Sequence, residues 1–341
     1  MRREPWQGDP DVNAPIMTAP APGPDAPLFI ILNAGSGHEE TEGQRSIIVE
    51  ALSRAGRDFQ LAVIDDPATL GATAARMAAM AADCEGILVA AGGDGTINAV
   101  AQKALEAACP FGVLPQGTFN YFGRAHGIPE DLSEAVDSLL GASLHPVQVG
   151  MVNGRIFLVN ASIGLYPTVL EEREKDKGQF GRSRLVALLS MFKTALGSTR
   201  YLRIALSMDG RDTVLRTPTL FVGNNALQVE QLGLPLSGAI EDGKLVAVAP
   251  RPVGRIGMLW LMLRGALGQL GQADDLRAFS FRQLTVKQRG LARRRRIKLA
   301  TDGEVNLFDT PLRFSVLPGQ LMLMKPDPLP LPQHSDQPQA A

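Results

Sequence analysis

The segment Gly92-Gly93-Asp94-Gly95-Thr96-Ile97-Asn98 combines residue types that a phosphate-binding turn requires. It follows the apolar run Gly86–Ala91, which has the length and character of a buried parallel strand. It opens the helical pattern Ile97, Val100, Ala101, Ala104, Leu105. Glycines let backbone N–H groups approach an anion closely, and a helix N-terminus adds favourable partial charge. Asp94 cannot serve the phosphate directly; beside one, it acts through a cation such as Mg2+ or in the reaction chemistry. Taken alone, the same letters also suit an ordinary βα turn in which Asp-Gly supplies only turn geometry. Two further loops shift the balance. Asn33-Ala34-Gly35-Ser36-Gly37 and Pro115-Gln116-Gly117-Thr118-Phe119-Asn120 also follow predicted strands. Asn33, Ser36 and Gly37 could close on phosphate oxygens, while Gly117, Thr118 and Asn120 offer a backbone N–H, a hydroxyl and an amide. Late in the chain, Thr301-Asp302-Gly303-Glu304 ends an apolar strand. Phosphoryl transfer needs phosphate cradles, carboxylate-held Mg2+ and a base for the acceptor hydroxyl. Glu304 is the best candidate for that base, because a second-domain carboxylate could face a nucleotide across a cleft.

The elements that must position these residues change character along the chain. Strands are predicted at Leu28–Leu32, Phe59–Ile64, Ile87–Ala91 and Phe111–Leu114, alternating with helices over Gln44–Leu52, over Leu70–Ala82 after a start at Asp66-Pro67, and from Ile97. That alternation predicts an α/β domain with a doubly wound, mostly parallel sheet, whose ligand loops lie at the carboxyl ends of strands. From about His145 the period falls to two and Asn153-Gly154 marks a hairpin, as does Asp209-Gly210. The second half reads as an antiparallel β-sandwich, with strands that include Phe279–Val286, Leu312–Val316 and Leu321–Met324 and with helices at Arg184–Leu196 and Val253–Leu267. The expected divisions are a disordered segment over 1–26, a nucleotide-binding domain over 27–146, a β-sandwich lipid-substrate domain over 147–310 and a disordered tail over 326–341. The last strand pair, within 311–325, is expected to return to the first domain.

Composition narrows the classes. With 341 residues and 45% hydrophobic content the chain can bury a large core. A net charge of −1 gives no general pull toward nucleic acid, and no nucleic-acid module is evident. Cys84 and Cys109 have no metal spacing and read as reduced core residues of a cytoplasmic protein. No P-loop sequence GxxxxGK[ST] occurs.

The ordered set Gly92-Gly-Asp-Gly-Thr96-Ile-Asn98, Pro115-Gln-Gly-Thr118-Phe-Asn120, Asn160-Ala-Ser-Ile-Gly-Leu165, Asp242-Gly-Lys-Leu245 and Asp302-Gly-Glu304 resembles the diacylglycerol kinase catalytic-domain family. It looks most like the soluble bacterial lipid-kinase branch, related to sphingosine kinases, over about Leu28–Lys325. The first motif is shared with NAD kinases, whereas the late Asp-Gly-Glu favours the lipid branch. The resemblance implies ATP bound between the two domains, with Gly92, Gly93, Asp94, Gly95, Thr96, Ile97, Asn98 and Thr118 among its contacts. It implies Glu304 as general base, Asp94 beside phosphates and Mg2+, and Asp302 in a Mg2+-linked acidic network. Asp242, with carbonyls near Ala239 and Lys244, would match a second metal site of some members. Two departures stand out: Ala34 occupies a usual proline, and Tyr121 replaces an aspartate of the metal and water network, keeping a polar tip without the charge.

The lipid side rests on amphipathic patterns. Trp260, Leu263, Leu267 and Leu270 recur at helical spacing with Arg255 and Arg264 interleaved, a pattern that usually signals core packing. The run Arg293, Arg294, Arg295, Arg296 could hold anionic headgroups near a site that takes its substrate from a bilayer. The expectation is therefore an ATP- and Mg2+-dependent kinase for diacylglycerol or a related lipid alcohol, cytoplasmic and peripheral to an anionic membrane. A NAD kinase-like enzyme and a weakly catalytic lipid-binding regulator of the same fold are the alternatives. Oligomeric state is left open.

Overall fold

The computed structural model describes residues 21–34, 38–165, 167, 201–208, 211–273, 275–289 and 296–327. The expected terminal segments lie largely outside these residues, as do the helix over 184–196 and the Asp209-Gly210 turn. In the first part, β1 (Leu28–Asn33), β2 (Phe59–Ile64), β3 (Ile87–Gly92) and β4 (Phe111–Pro115) form a parallel sheet in the order β2-β1-β3-β4. Between them run α1 (His38–Arg54), α2 (Leu70–Asp83) and α3 (Asp94–Ala107), followed by α4 (Tyr121–Ala125) and α5 (Leu132–Leu140). Asp66 starts the turn into α2 as the sequence predicts: its side chain accepts from Ala68 N–H, with Pro67 next. Cys109 is buried, but Cys84 caps the end of α2 and is exposed, so it is not a core residue.

The second part is antiparallel. It begins with β5 (Ser143–Val152) and β6 (Arg155–Phe157), joined by a turn with positive φ at Asn153 (47°) and Gly154 (84°), the geometry of a tight hairpin. β7 (Asn160–Gly164), β8 (Leu202–Met208), β9 (Arg211–Thr217) and β10 (Thr219–Gly223) follow. Next come α6 (Ala226–Gln231), α7 (Ser237–Glu241), β11 (Leu245–Pro250), α8 (Arg255–Ala266) and β12 (Leu276–Phe281). The chain ends in β13 (Gln283–Gln288), β14 (Arg296–Thr301), β15 (Glu304–Asp309) and β16 (Leu312–Lys325). One sheet is ordered β12-β11-β10-β7-β14-β15; the other continues β4-β16-β13-β8-β9 and so runs through both parts. Leu323 of β16 pairs in parallel with Phe111 of β4, while β5 lies antiparallel along β16.

Two segments differ from the sequence expectation. Leu312–Val316 and Leu321–Met324, expected as separate strands, form one strand with a register shift between Leu317 and Leu321. Pro318-Gly319, with φ of 63° at Gly319, bends it without ending it. Phe279–Val286, expected as one strand, is two strands in different sheets. Phe279 and Phe281 pack on the same inter-sheet core as Leu284 and Val286, so the inward positions change from odd to even across Arg282. The same change occurs between Leu215 and Leu220, where the chain turns at Pro218.

Gly150 sits on β5 against the ring of Phe157; an added Cβ would lie 2.3 Å from that ring. β5 is held by both β16 and β6, and the Phe157 ring is fully buried. Gly150→Ala is expected to destabilise the protein by about 1–3 kcal/mol, the usual range for overpacking. Urea unfolding checks this, and an unchanged midpoint would show that Phe157 has room to move.

Candidate active site

The cradle forms where β3 and β4 end. Gly93 caps α3, and the Cα of Gly93 lies 2.9 Å from where a Gly117 Cβ would stand. Two backbones can touch there only because both positions are glycine. A Cβ on Gly92 would meet Thr96, also at 2.9 Å. Thr96 Oγ1 accepts from Asn33 Nδ2 at 2.7 Å, which ties the end of β1 to α3. Asn120, in the left-handed region at φ 48°, accepts from Gly117 N–H at 2.7 Å and shapes the second loop. Thr118 is exposed beside it. Ser36 and Gly37 lie outside the described residues.

Asp94 occupies the first turn of α3 and faces the start of α4, accepting from Tyr121 N–H at 3.4 Å and Phe122 N–H at 3.3 Å. Burial pushes its carboxyl above the usual range, while those two N–H groups and Arg124 pull it down. Tyr121 stacks its ring on Phe119 with centroids 5.7 Å apart, and its carbonyl accepts from Asn225 Nδ2 of the antiparallel part at 3.0 Å.

Asp302 lies at the seam between the two parts. The β14–β15 turn has φ of 47° at Asp302 and 90° at Gly303, which turns the carboxylate inward. Its oxygens accept from Leu158 N–H (2.6 Å), Val159 N–H (2.9 Å), Asn160 N–H (2.8 Å) and Asn98 Nδ2 (2.7 Å). Asn98 also donates to Ile156 O at 3.1 Å. Burial, with nearby Asp94 adding repulsion, pushes the Asp302 carboxyl up to about 7 against the pull of its donors. Glu304 follows at the surface. An added Cβ on Gly95 would lie 3.3 Å from Glu304 Oε1, so this carboxylate sits against the N-terminus of α3. Burial raises its proton affinity and Arg155, 3.2 Å away, lowers it.

Asp94, Gly95, Asp302 and Glu304 thus come together from opposite ends of the chain. Of the expected nucleotide contacts, Ile97 is fully buried, and the Asn98 amide is engaged with Asp302 and Ile156. Asp242 is not brought to this cluster; it is exposed and 3.7 Å from Lys244 Nζ. The carbonyls of Ala239 and Lys244 accept from Lys244 N–H and the Gln148 amide. Among the described residues no three His, Cys, Asp or Glu side chains converge as a metal site. Sequence reasoning missed Arg155 and Asn225; neither stands in a glycine-rich or acidic motif. Asn160 was part of a noticed motif, but its place beside Asp302 was not foreseen.

A glycine-lined cradle at strand ends, with acids from an antiparallel part set against it, defines an α/β phosphotransferase architecture. Residues 27–152 match the family model of the diacylglycerol kinase catalytic domain. That match and the relatives below indicate a diacylglycerol or lipid kinase-like enzyme. It is 29% identical over 315 residues to a protein named "Probable lipid kinase YegS-like" of Pseudomonas aeruginosa (strain UCBPP-PA14), covering 90% of this chain and 96% of that one. It is 35% identical over 133 residues to the diacylglycerol kinase of Bacillus subtilis (strain 168), covering 38% of this chain and 43% of that one. The crystal structure of a diacylglycerol kinase from Bacillus anthracis str. Sterne shares the fold, with a TM-score of 0.63 and 18% identity over 88% of this chain and 97% of that one.

Asn98→Ala removes one of four donors to Asp302. A folded carboxyl with its pKa raised to about 7 is protonated at pH 5 and ionised at pH 8, whereas the unfolded one is ionised at both. Stability from this group is therefore greatest at low pH and falls as pH rises through 7. Losing a donor to the anion deepens that fall. Urea unfolding of Asn98→Ala is expected to show a loss of about 1–3 kcal/mol at pH 8 and a smaller one at pH 5. Equal losses would mean that Asn98 acts through Ile156 alone.

Proposed function

We propose that this chain transfers the γ-phosphoryl group of ATP to the hydroxyl of diacylglycerol or a related lipid alcohol. The observation that carries this reading is the Glu304 carboxylate against Gly95, at the N-terminus of the helix that opens the cradle. Backbone N–H groups of the loops at Gly92–Gly95 and Gly117–Thr118 would hold phosphate oxygens, supported by the partial positive charge of α3. Glu304 takes the proton of the acceptor hydroxyl as its oxygen bonds to the γ-phosphorus, and ADP leaves. A base needs an ionised carboxylate of adequate basicity. Partial burial raises that basicity, and the Arg155 guanidinium favours the ionised form.

Mg2+ would neutralise phosphate charge when bound. Asp94 is suited to hold it, directly or through water, because only two long backbone hydrogen bonds engage its carboxylate. Asp302, with four donors on its two oxygens, suits a structural role better than direct coordination. No helix among the described residues is long and apolar enough to cross a membrane. Of the arginine run, Arg293, Arg294 and Arg295 lie outside the described residues, and Arg296 is paired with Asp309 at 3.2 Å.

Glu304→Gln keeps size and hydrogen bonding but cannot accept a proton. ADP release with a short-chain diacylglycerol is expected to fall by about 10²–10⁴-fold, with ATP binding little changed. Turnover with NAD in place of lipid would instead favour the NAD kinase-like alternative. Arg155→Gln removes the positive charge that holds the Glu304 proton affinity down. The acid limb of kcat/KM should therefore move to higher pH, and a shift to lower pH would remove Glu304 from that limb.

A further inference from the structure

The apolar stripe on α8 is not core. Ile256 is 84% exposed, Trp260 55%, Leu263 42% and Leu267 61%, all at the spacing of one helix face. Met258 and Leu261, on the opposite face, are buried and anchor the helix to the body. Large apolar groups exposed together in this way mark an interaction surface. Arg264 stacks over the Trp260 ring with its guanidinium 5.5 Å from the centroid, placing a cation at the stripe's border.

A second feature joins it. The outward face of β8 and β13 forms a recess of ≈ 420 Å³ lined by Arg203, Lys287 and Arg289, with Asp212 the only acid among its lining residues. Among the described residues none of these three cations is in an ion pair with a carboxylate. Arg216, the cross-strand partner of Arg203, lies over the Tyr201 ring at 4.9 Å. Tyr201 Oη in turn donates to Val253 O at 2.5 Å, two residues before α8. A chain of contacts through Arg216, Tyr201 and Val253 thus runs from the strands that line the recess to the start of α8.

We infer that α8 and this recess form one docking surface for an anionic bilayer, with the stripe entering the interface and the cations meeting lipid headgroups. Charge complementarity selects this occupant. A helix face bearing Trp and Leu partitions into the headgroup boundary, and a nearby cationic cluster supplies the second attachment that firm peripheral binding needs. The surface deepens the lipid-kinase reading and rests on it for the bilayer as partner.

The chain has two tryptophans, Trp6 and Trp260, so Trp6→Phe leaves Trp260 as a single fluorescent reporter. Its emission should shift to the blue with phosphatidylcholine–phosphatidylglycerol vesicles, and brominated lipid should quench it. Unshifted, unquenched emission would overturn the proposal. Cosedimentation tests the two components separately. The Ile256→Ser/Trp260→Ser double variant should lose binding at low and high salt. Arg203→Gln/Lys287→Gln/Arg289→Gln should lose roughly a hundredfold at low salt on anionic vesicles, at about fivefold per cation, and little on pure phosphatidylcholine. Both variants should keep turnover on a soluble short-chain diacylglycerol. Wild-type vesicle binding by either variant overturns the proposal, as does a stripe variant that changes only the oligomeric state in light scattering. Absence of soluble-substrate turnover in the unmodified protein would instead count against the kinase reading, while Trp260 still reports docking.

Discussion

The buried Asp302 carboxylate is the interaction on which the arrangement at the seam depends. It reaches across 204 residues of sequence to the Asn98 amide and accepts three consecutive backbone N–H groups at Leu158–Asn160. Those N–H groups span the connection between β6 and β7 and the first residue of β7, where the chain passes from one sheet to the other. Without the acid, they would be buried donors with no partner, each costing the desolvation of an amide. With it, α3, the β6–β7 connection and the β14–β15 turn are fixed at one point. Glu304 stands two residues further on, so its position against Gly95 follows from a bond network that has no exposed member.

The electrostatics follow from this placement. Asp94, Asp302 and Glu304 all have raised proton affinities, and burial is the first cause in each. What differs is how each is compensated. Asp302 is compensated by donors within the fold, Glu304 by a neighbouring guanidinium at the surface, and Asp94 only weakly by long hydrogen bonds and Arg124. Of the three, Asp94 beside the glycine cradle is the one engaged by long backbone hydrogen bonds, at 3.3 and 3.4 Å.

Local features were legible in the sequence and distant ones were not. Glycine positions at strand ends, the Asn153-Gly154 hairpin and the Asp66-Pro67 helix start each depend on a few adjacent residues and were found. Strand alternation also gave the change from parallel to antiparallel structure. The Asn98–Asp302 bond was invisible because nothing in either motif specifies its partner, and Asn98 was placed among the nucleotide contacts instead. Arg155 lacked any motif. The parity change at Arg282 was readable in principle: Phe279 and Phe281 are odd, Leu284 and Val286 even. A single strand cannot send all four to one core, so the chain had to change sheets. The stripe on α8 shows the opposite limit, since helical periodicity reveals an apolar face but not what covers it.

The two parts are joined in two chemically different ways. On one side β16 continues the parallel sheet by pairing with β4 and is backed along its length by β5. On the other, the Asp302 network pins α3 to the second sheet, and Asn225 adds a contact to the carbonyl of Tyr121. A single attachment would leave a hinge. Two attachments on different elements resist rotation, because any rotation about the β16–β4 pairing must pull the buried carboxylate away from its donors. Separating them exposes a charge and several N–H groups to an interior with no alternative partners, which is costly. The spacing between Glu304 and the cradle is therefore a property of the folded chain itself and does not require a ligand to draw the two parts together.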